Sequence, residues 1–123
     1  MKTMLKKHLL DALNACRAIQ DFVTDRTWEE YEQSLMLRSA IERQFEIIGE
    51  ALNRAEEVDP ELALLVPDVR RIIGLRNRII HGYDSVDDEL LWQTIHKHVP
   101  SLAQRLAELM EGDTISRDPG VTQ

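Results

Sequence analysis

Apolar residues recur at intervals of three and four along most of the chain, the spacing that places them on one face of an α-helix. The first such run starts at Leu5 and ends near Asp25. A second starts after Thr27, which forms a Thr-x-x-Glu capping box with Glu30, and this run reaches Glu57 as one helix of about eight turns. The pattern therefore predicts two long amphipathic helices in the first half of the chain.

Shorter helices are predicted in the middle of the chain. Asp59 and Pro60 supply an N-cap and a first-turn proline for a short helix over residues 59–65. Pro67 then breaks the chain, and a further helix is predicted over residues 69–81. Short connections between amphipathic helices, without strand-like alternation, predict an all-α antiparallel bundle of four to five helices.

The C-terminal third continues this organisation. Gly82 is suited to end the preceding helix in the left-handed conformation, and residues 85–88 to cap the next one. Pro100 either starts a new helical segment or kinks this one. We expect a helical domain over residues 1–111 and a flexible tail over residues 112–123.

Composition indicates one globular domain with one core. The chain has 123 residues, 43% of them hydrophobic and 30% charged. No run approaches ~18 apolar residues, so no membrane span is expected, and the basic start does not resemble a signal peptide. Cys16 lies alone on an apolar helix face, where it is expected to be a small buried residue outside any disulfide. We therefore expect a protein of the reducing cytoplasm.

Charge is distributed unevenly along the chain. The formal net charge of −7 argues against broad electrostatic capture of nucleic acid, including duplex DNA. Between positions 69 and 83, however, there are four arginines and no acidic residue. They are Arg70, Arg71, Arg76 and Arg78. A local positive patch on an acidic body favours a small phosphate-binding site.

Arg76 and His81 are the candidate chemical groups of this segment. Arg76 falls within the apolar stripe of its helix, where burying a cation is unfavourable unless a partner or ligand meets it. His81 lies five residues on, ~140° round an ideal helix and ~7.5 Å along it. One regular helix cannot direct both side chains at one atom, so either the helix loosens at Gly82 or a second copy supplies the other half.

These residues also carry a family resemblance. Arg-Asn-x3-His-Gly-Tyr at residues 76–83 resembles the Arg-x4-His-x-Tyr motif of the HEPN superfamily. Within that superfamily it is similar to the HepT branch, whose toxins are paired with minimal nucleotidyltransferases. Ile-Gly-Glu-Ala at residues 48–51 and the overall length are also similar, and the resemblance covers about residues 5–110.

The resemblance implies a metal-independent endoribonuclease without a cofactor. Arg76 would bind the scissile phosphate of an RNA substrate, such as a tRNA or an mRNA. His81 would move the proton of a ribose 2′-hydroxyl. Family members pack the motif helices of two protomers together, which implies a homodimer. The structural alternatives are a helix-terminal histidine that interacts with carbonyl groups and a buried ion pair at Arg76.

Tyr83 matches the tyrosine at which the partner nucleotidyltransferase of the HepT branch attaches AMP and silences the toxin. The resemblance therefore implies AMPylation of Tyr83 by a cognate antitoxin. An added phosphate beside four arginines would occupy the patch that RNA needs. The ordinary alternative is a tyrosine in the core or at its rim.

Several neighbouring residues are candidates for supporting roles. Asn77 could orient His81 or bind substrate, while Arg70 and Arg78 could face RNA. Gly74 weakens a helix by roughly 1 kcal/mol relative to alanine. A close backbone approach, such as that of a second copy's helix, would explain it; otherwise the glycine is merely tolerated.

Glu42, Glu46 and Glu50 form a ridge on the second long helix, and such ridges are usually solvated. The alternative is that Glu50 turns inward to pair with Arg76. No metal site is expected, because Glu-x-x-His repeats are absent and His96-x-His98 directs its two rings apart on a helix.

Two rival hypotheses accompany the ribonuclease toxin. One is a non-catalytic module of the same fold that presents a substrate to a nucleotidyltransferase subunit. The other is a purely structural helical dimer, which would leave Arg76 on the apolar stripe unexplained. The complete set of Arg76, Asn77 and His81 favours the enzyme.

Overall fold

Seven helices form the described part of the chain, residues 1–81 and 87–116 of a computed structural model, with side chains described through residue 112. Within these ranges there is no β-strand, which confirms the all-α prediction. The helices are α1 (Thr3–Val23), α2 (Trp28–Gln33), α3 (Leu35–Val58), α4 (Leu62–Leu65), α5 (Val69–Ile80), α6 (Asp88–Lys97) and α7 (Val99–Ser116).

The long helix α3 occupies the centre of the fold. It packs against α1 on one side and α5 on another, while α7 packs against α1 and α6. The apolar stripes predicted from the sequence meet in one core. Its largest fully buried side chains include Leu9, Ile19, Tyr31, Ile41, Phe45, Ile48, Leu52, Ile72, Leu91 and Leu102. The site-bearing helix α5 is therefore held against the most central helix.

The second predicted helix is in fact two helices, so its prediction as one continuous element is wrong. Ser34 has an extended backbone, with φ −106° and ψ 102°, and separates α2 from α3. Its hydroxyl accepts a hydrogen bond from the Leu37 amide at 3.1 Å. A serine side chain that caps a new helix competes with continuation of the old one. The capping box of Thr27 and Glu30 is confirmed, with both reciprocal bonds formed.

The segment that leads into α5 broadly follows the prediction. The Asp59 carboxylate accepts the Glu61 amide at 3.1 Å, and the short helix begins at Leu62 rather than at residue 59. Asp68 has a left-handed backbone, φ 68°, immediately before α5. The helix predicted over residues 69–81 is confirmed to within one residue, because α5 ends at Ile80.

The last two helices confirm that Pro100 stands at the start of a new segment. His98 separates α6 from α7, which begins at Val99. α7 continues past the domain boundary predicted at residue 111 and ends at Ser116. One glycine weakens a helix by only about 1 kcal/mol, so Gly112 does not end it.

Cys16 is fully buried on α1, and desolvation by burial raises the pKa of its thiol to about 12. It is therefore the small buried residue that the sequence predicts. Across the described ranges, the helices include none that is both long and apolar enough to cross a membrane.

Candidate active site

The site starts from a close approach of α5 to α3. A Cβ atom added to Gly49 would lie 2.2 Å from Cβ and 2.6 Å from Cγ of Arg76. Only a glycine hydrogen fits there, so the aliphatic stem of Arg76 packs directly on the α3 backbone. Sequence reasoning missed this role of Gly49, although a glycine within a regular helix was the available signal.

The Arg76 guanidinium is held by two partners. Its Nη2 donates to the Glu50 carboxylate, and its Nη1 donates to Asn77 Oδ1 at 2.7 Å. The Arg76 side chain is only 20% exposed. Of the two alternatives for Glu50, the structure shows the inward ion pair, and the expectation of a solvated ridge is wrong for this residue. The fold thus supplies the partner that a cation on an apolar stripe needs.

Glu50 is shared between two arginines. Its Oε1 accepts from Nε of Arg54 at 2.8 Å, while its other oxygen accepts from Arg76. One carboxylate therefore faces two guanidinium groups, which leaves this cluster with a net positive charge. A net positive cluster with a fixed guanidinium geometry is suited to binding an oxyanion such as a phosphate.

Asn77 links Arg76 to His81. Its side chain accepts from the Arg76 guanidinium at 2.7 Å, and its main-chain oxygen accepts the His81 amide at 3.2 Å. His81 is the C-cap of α5, and its side chain is exposed. The arginine and histidine therefore occupy one neighbourhood but different faces: Arg76 points toward α3, and His81 does not follow it inward.

One face of α5 is left uncovered by the described chain. Arg70, Gly74, Asn77 and His81 recur at spacings of four, three and four, and all four are exposed. A Cβ added to Gly74 would meet no atom of the described residues within 4 Å. Ile80, which the sequence places on the apolar stripe, is 45% exposed at the end of this helix. The last turn of α5 thus presents apolar surface beside His81.

The other arginines of α5 differ in their partners. Arg70 pairs with Glu56 at 3.2 Å, and Arg71 pairs with Asp68 at 3.3 Å. Within the described residues Arg78 is exposed and has no ion pair. The positive patch is therefore weaker than four unpaired arginines would make it, and Arg78 contributes to it most directly.

The predicted modification site and helix terminator, Tyr83 and Gly82, lie outside the described residues. Among the residues that are described, no group of three or more His, Cys, Asp or Glu side chains could hold a metal ion. His96 and His98 have separate partners: the Trp92 carbonyl at 2.8 Å and the Asp68 carboxylate at 3.1 Å.

Comparison with known proteins gives a consistent set of relatives. Residues 12–109 match the family model described as "Ribonuclease HepT-like". "Probable ribonuclease HepT" of Thermococcus cleftensis is 30% identical over 89% of this chain and 98% of its own length. "Putative RNase MJ1380" of Methanocaldococcus jannaschii is 31% identical over 85% and 95% of the two chains. "Putative RNase TTE0752" of Caldanaerobacter subterraneus is 31% identical over 90% and 97%. No solved structure matches the chain.

Proposed function

The chain belongs to the ribonuclease HepT-like family, and from that premise we propose that it is an endoribonuclease that cleaves RNA without a metal ion. The observation that carries this proposal is Arg76, whose side chain is only 20% exposed and is held by Glu50 and Asn77 on the helix that ends at His81. A fixed guanidinium and an exposed imidazole are the two groups that phosphodiester cleavage needs.

In the proposed reaction His81 removes the proton of a ribose 2′-hydroxyl. The 2′-oxygen then attacks the adjacent phosphorus, and the bond to the 5′-oxygen breaks, with a proton returned to that leaving oxygen. Arg76 binds the phosphate and stabilises the negative charge that develops on it. The products are a 2′,3′-cyclic phosphate and a 5′-hydroxyl end, and no metal ion takes part.

The proposed site is composite, formed at a homodimer interface. Arg76 and His81 are ~140° apart on an ideal helix, and Arg76 is fixed against α3 by Gly49 and Glu50. A second α5 packed between these two directions, where Asn77 and Ile80 are exposed, would bring one copy's His81 toward the other's Arg76.

We assign the enzyme to a toxin–antitoxin pair whose antitoxin is a minimal nucleotidyltransferase. The support is the Tyr83 position of the motif, two residues after His81. Transfer of AMP from ATP to the Tyr83 hydroxyl, with release of pyrophosphate, would add a phosphate five residues after Arg78 in the sequence and block RNA. Co-expression with a nucleotidyltransferase encoded beside it should add one adenylyl mass to the chain, and Tyr83→Phe should abolish the addition.

The proposal is tested by incubating a tRNA pool with purified protein in EDTA. We expect cleavage by the wild type and a loss of at least about 100-fold in both Arg76→Ala and His81→Ala. Arg17→Ala, which removes an exposed arginine of α1, is the matched control and should cleave normally.

Three outcomes would contradict the proposal. Cleavage that EDTA stops would show a metal-dependent enzyme. Cleavage that persists in both variants would come from a contaminant. A dimeric, unmodified protein that cuts nothing would favour the non-catalytic module that presents a substrate to a nucleotidyltransferase.

A further inference from the structure

A groove of about 300 Å³ lies between α5 and α6, beside the candidate active site. Arginines form its rim, and small or apolar residues form its floor. The rim residues are Arg70, Arg71 and Arg78, and the floor residues are Leu75, Leu90 and Thr94. Of the described residues that line the groove, none is acidic, although the whole chain carries a charge of −7. Arg70 and Arg71 are paired with Glu56 and Asp68 outside the lining, so Arg78 supplies the excess positive charge that an anion would meet in the groove.

The floor of the groove is buried or partly buried, and the hydroxyl of its one polar residue, Thr94, already donates its proton within the protein. Leu75 is 7% exposed, and Leu90 packs against the core. The Thr94 hydroxyl donates to the Leu90 carbonyl at 2.8 Å, so its proton is already used within α6. What remains is an apolar surface beside guanidinium groups. A nucleotide combines the matching parts, a flat base and a charged phosphate.

The groove leads toward His81. Arg78 and His81 are three residues apart, which makes them neighbours on the helix surface. The core of the groove, formed by Arg71, Leu75 and Arg78, lies on the α6 side of the exposed α5 face. Neither Asn77 nor Ile80, where the second copy is proposed to pack, lines the groove, so the proposed dimer leaves its α6 side open to a ligand.

We propose that this groove binds the nucleotide next to the scissile phosphate of a single-stranded RNA. The backbone phosphate lies against Arg71 and Arg78, and the base lies on Leu75 and Leu90. Its volume is at the lower end of the roughly 300–1,000 Å³ that small-molecule sites occupy, which suits one nucleotide and not a duplex. The assignment rests on the proposed ribonuclease function and adds the surface that positions its substrate.

The first test measures binding without cleavage. A fluorescein-labelled single-stranded RNA is titrated with full-length His81→Ala protein, and anisotropy is followed over a series of salt concentrations. Adding Arg71→Gln and Arg78→Gln should weaken binding at least about tenfold and flatten the log–log salt dependence by about 0.7, the value for one lost phosphate contact on a single strand. Arg17→Gln with Arg43→Gln removes the same charge from exposed positions elsewhere and should leave both quantities unchanged.

The second test examines the base. An abasic strand of the same length retains the phosphates but cannot contact Leu75 and Leu90. We expect the His81→Ala protein to bind the RNA several-fold more tightly than the abasic strand, and this preference should decrease in the variant with both groove arginines replaced. Equal binding of the two strands would overturn the nucleotide assignment.

The experiments distinguish a failure of the groove proposal from a failure of the ribonuclease proposal. If the wild type cleaves RNA and the Arg71→Gln, Arg78→Gln variant keeps both KM and kcat, the groove assignment is wrong and the ribonuclease stands. If the wild type does not cleave, but RNA binding depends on the two arginines, the groove binds RNA and the ribonuclease proposal fails. Unchanged RNA binding with loss of a nucleotidyltransferase complex would identify a protein-docking surface and overturn the assignment.

Discussion

At the scale of single residues, the position of Arg76 depends on a carboxylate far away in the sequence. Glu50 lies 26 positions before Arg76 and accepts hydrogen bonds from both Arg76 and Arg54. Sequence periodicity could predict that Arg76 lies on an apolar stripe and needs a partner. It named the pairing of Glu50 with Arg76 only as an alternative to a solvated ridge of three glutamates, because that choice depends on where α5 crosses α3.

Glu50→Gln should therefore impair cleavage more than it impairs folding. The amide removes the charge that fixes Arg76, and we expect RNA cleavage to fall about 10- to 100-fold. Because Glu50 is 37% exposed, solvent screens the pair, and unfolding should become easier by only about 1 kcal/mol. Arg54→Gln is the control, since it removes the other partner of Glu50 and leaves Arg76 held. Equal loss of cleavage in both variants would contradict this role.

Glu42 gives a pH-dependent prediction at the same scale. Burial, followed by the charge of Asp88, raises the pKa of its carboxyl in the folded state, although Arg38 opposes the shift. A raised pKa contributes stability below the unfolded-state value that is lost as pH rises through the folded-state value. Glu42→Gln should therefore raise the free energy of unfolding, relative to the wild type, more at pH 7 than at pH 4.

Urea unfolding at pH 4 and pH 7 measures this effect, and Glu30 is the control because its pKa is shifted in the opposite direction. The Thr27 amide lowers the pKa of Glu30, so its stabilisation is present above the unfolded-state value and is lost as pH falls. Glu30→Gln should be more damaging at pH 7 than at pH 4. If the two glutamine variants shifted in the same direction with pH, the electrostatic assignment of Glu42 would be wrong.

At the scale of helices, the sequence predicted most of the elements but not all of their boundaries. Spacing and capping residues indicated α1 and α5, because these signals are local, and they left Pro100 as either the start of a new segment or a kink. The division at Ser34 was missed, since a serine within an apolar periodicity can either continue a helix or cap a new one. The packing of α5 on α3 was anticipated only through the alternative pairing of Glu50 with Arg76, and the close approach at Gly49 was missed because it is a contact between distant segments.

Alanine substitutions at Gly49 and Gly74 distinguish the effect of side-chain packing on stability from the effect of helix propensity. Gly49→Ala places a Cβ against Arg76 and should destabilise the protein by about 1–3 kcal/mol. Gly74→Ala meets no neighbour and should stabilise the single chain by up to ~1 kcal/mol. Urea unfolding at low protein concentration compares them, and equal stabilisation by both would show that the α3–α5 approach is looser than described.

At the scale of the whole molecule, charge is distributed unevenly between α5 and the rest of the chain. The chain carries a formal charge of −7, while α5 contributes four arginines and no acidic residue. The central helix α3 fixes Arg76 from within, and the exposed face of α5 presents His81 outward. A single chain thus holds both halves of the proposed chemistry on different faces, and in the proposed homodimer a second chain brings them together.

The most direct test of this composite site is complementation between inactive variants. Arg76→Ala and His81→Ala proteins are unfolded together, refolded as a mixture and assayed on tRNA in EDTA. If Arg76 of one copy acts with His81 of the other, half of the dimers are mixed and each keeps one of two sites. Activity should then recover to about a quarter of the wild-type value, while each variant refolded alone stays inactive. A mixture that forms mixed dimers but stays as inactive as its parents, beside an active wild type, would contradict the composite site.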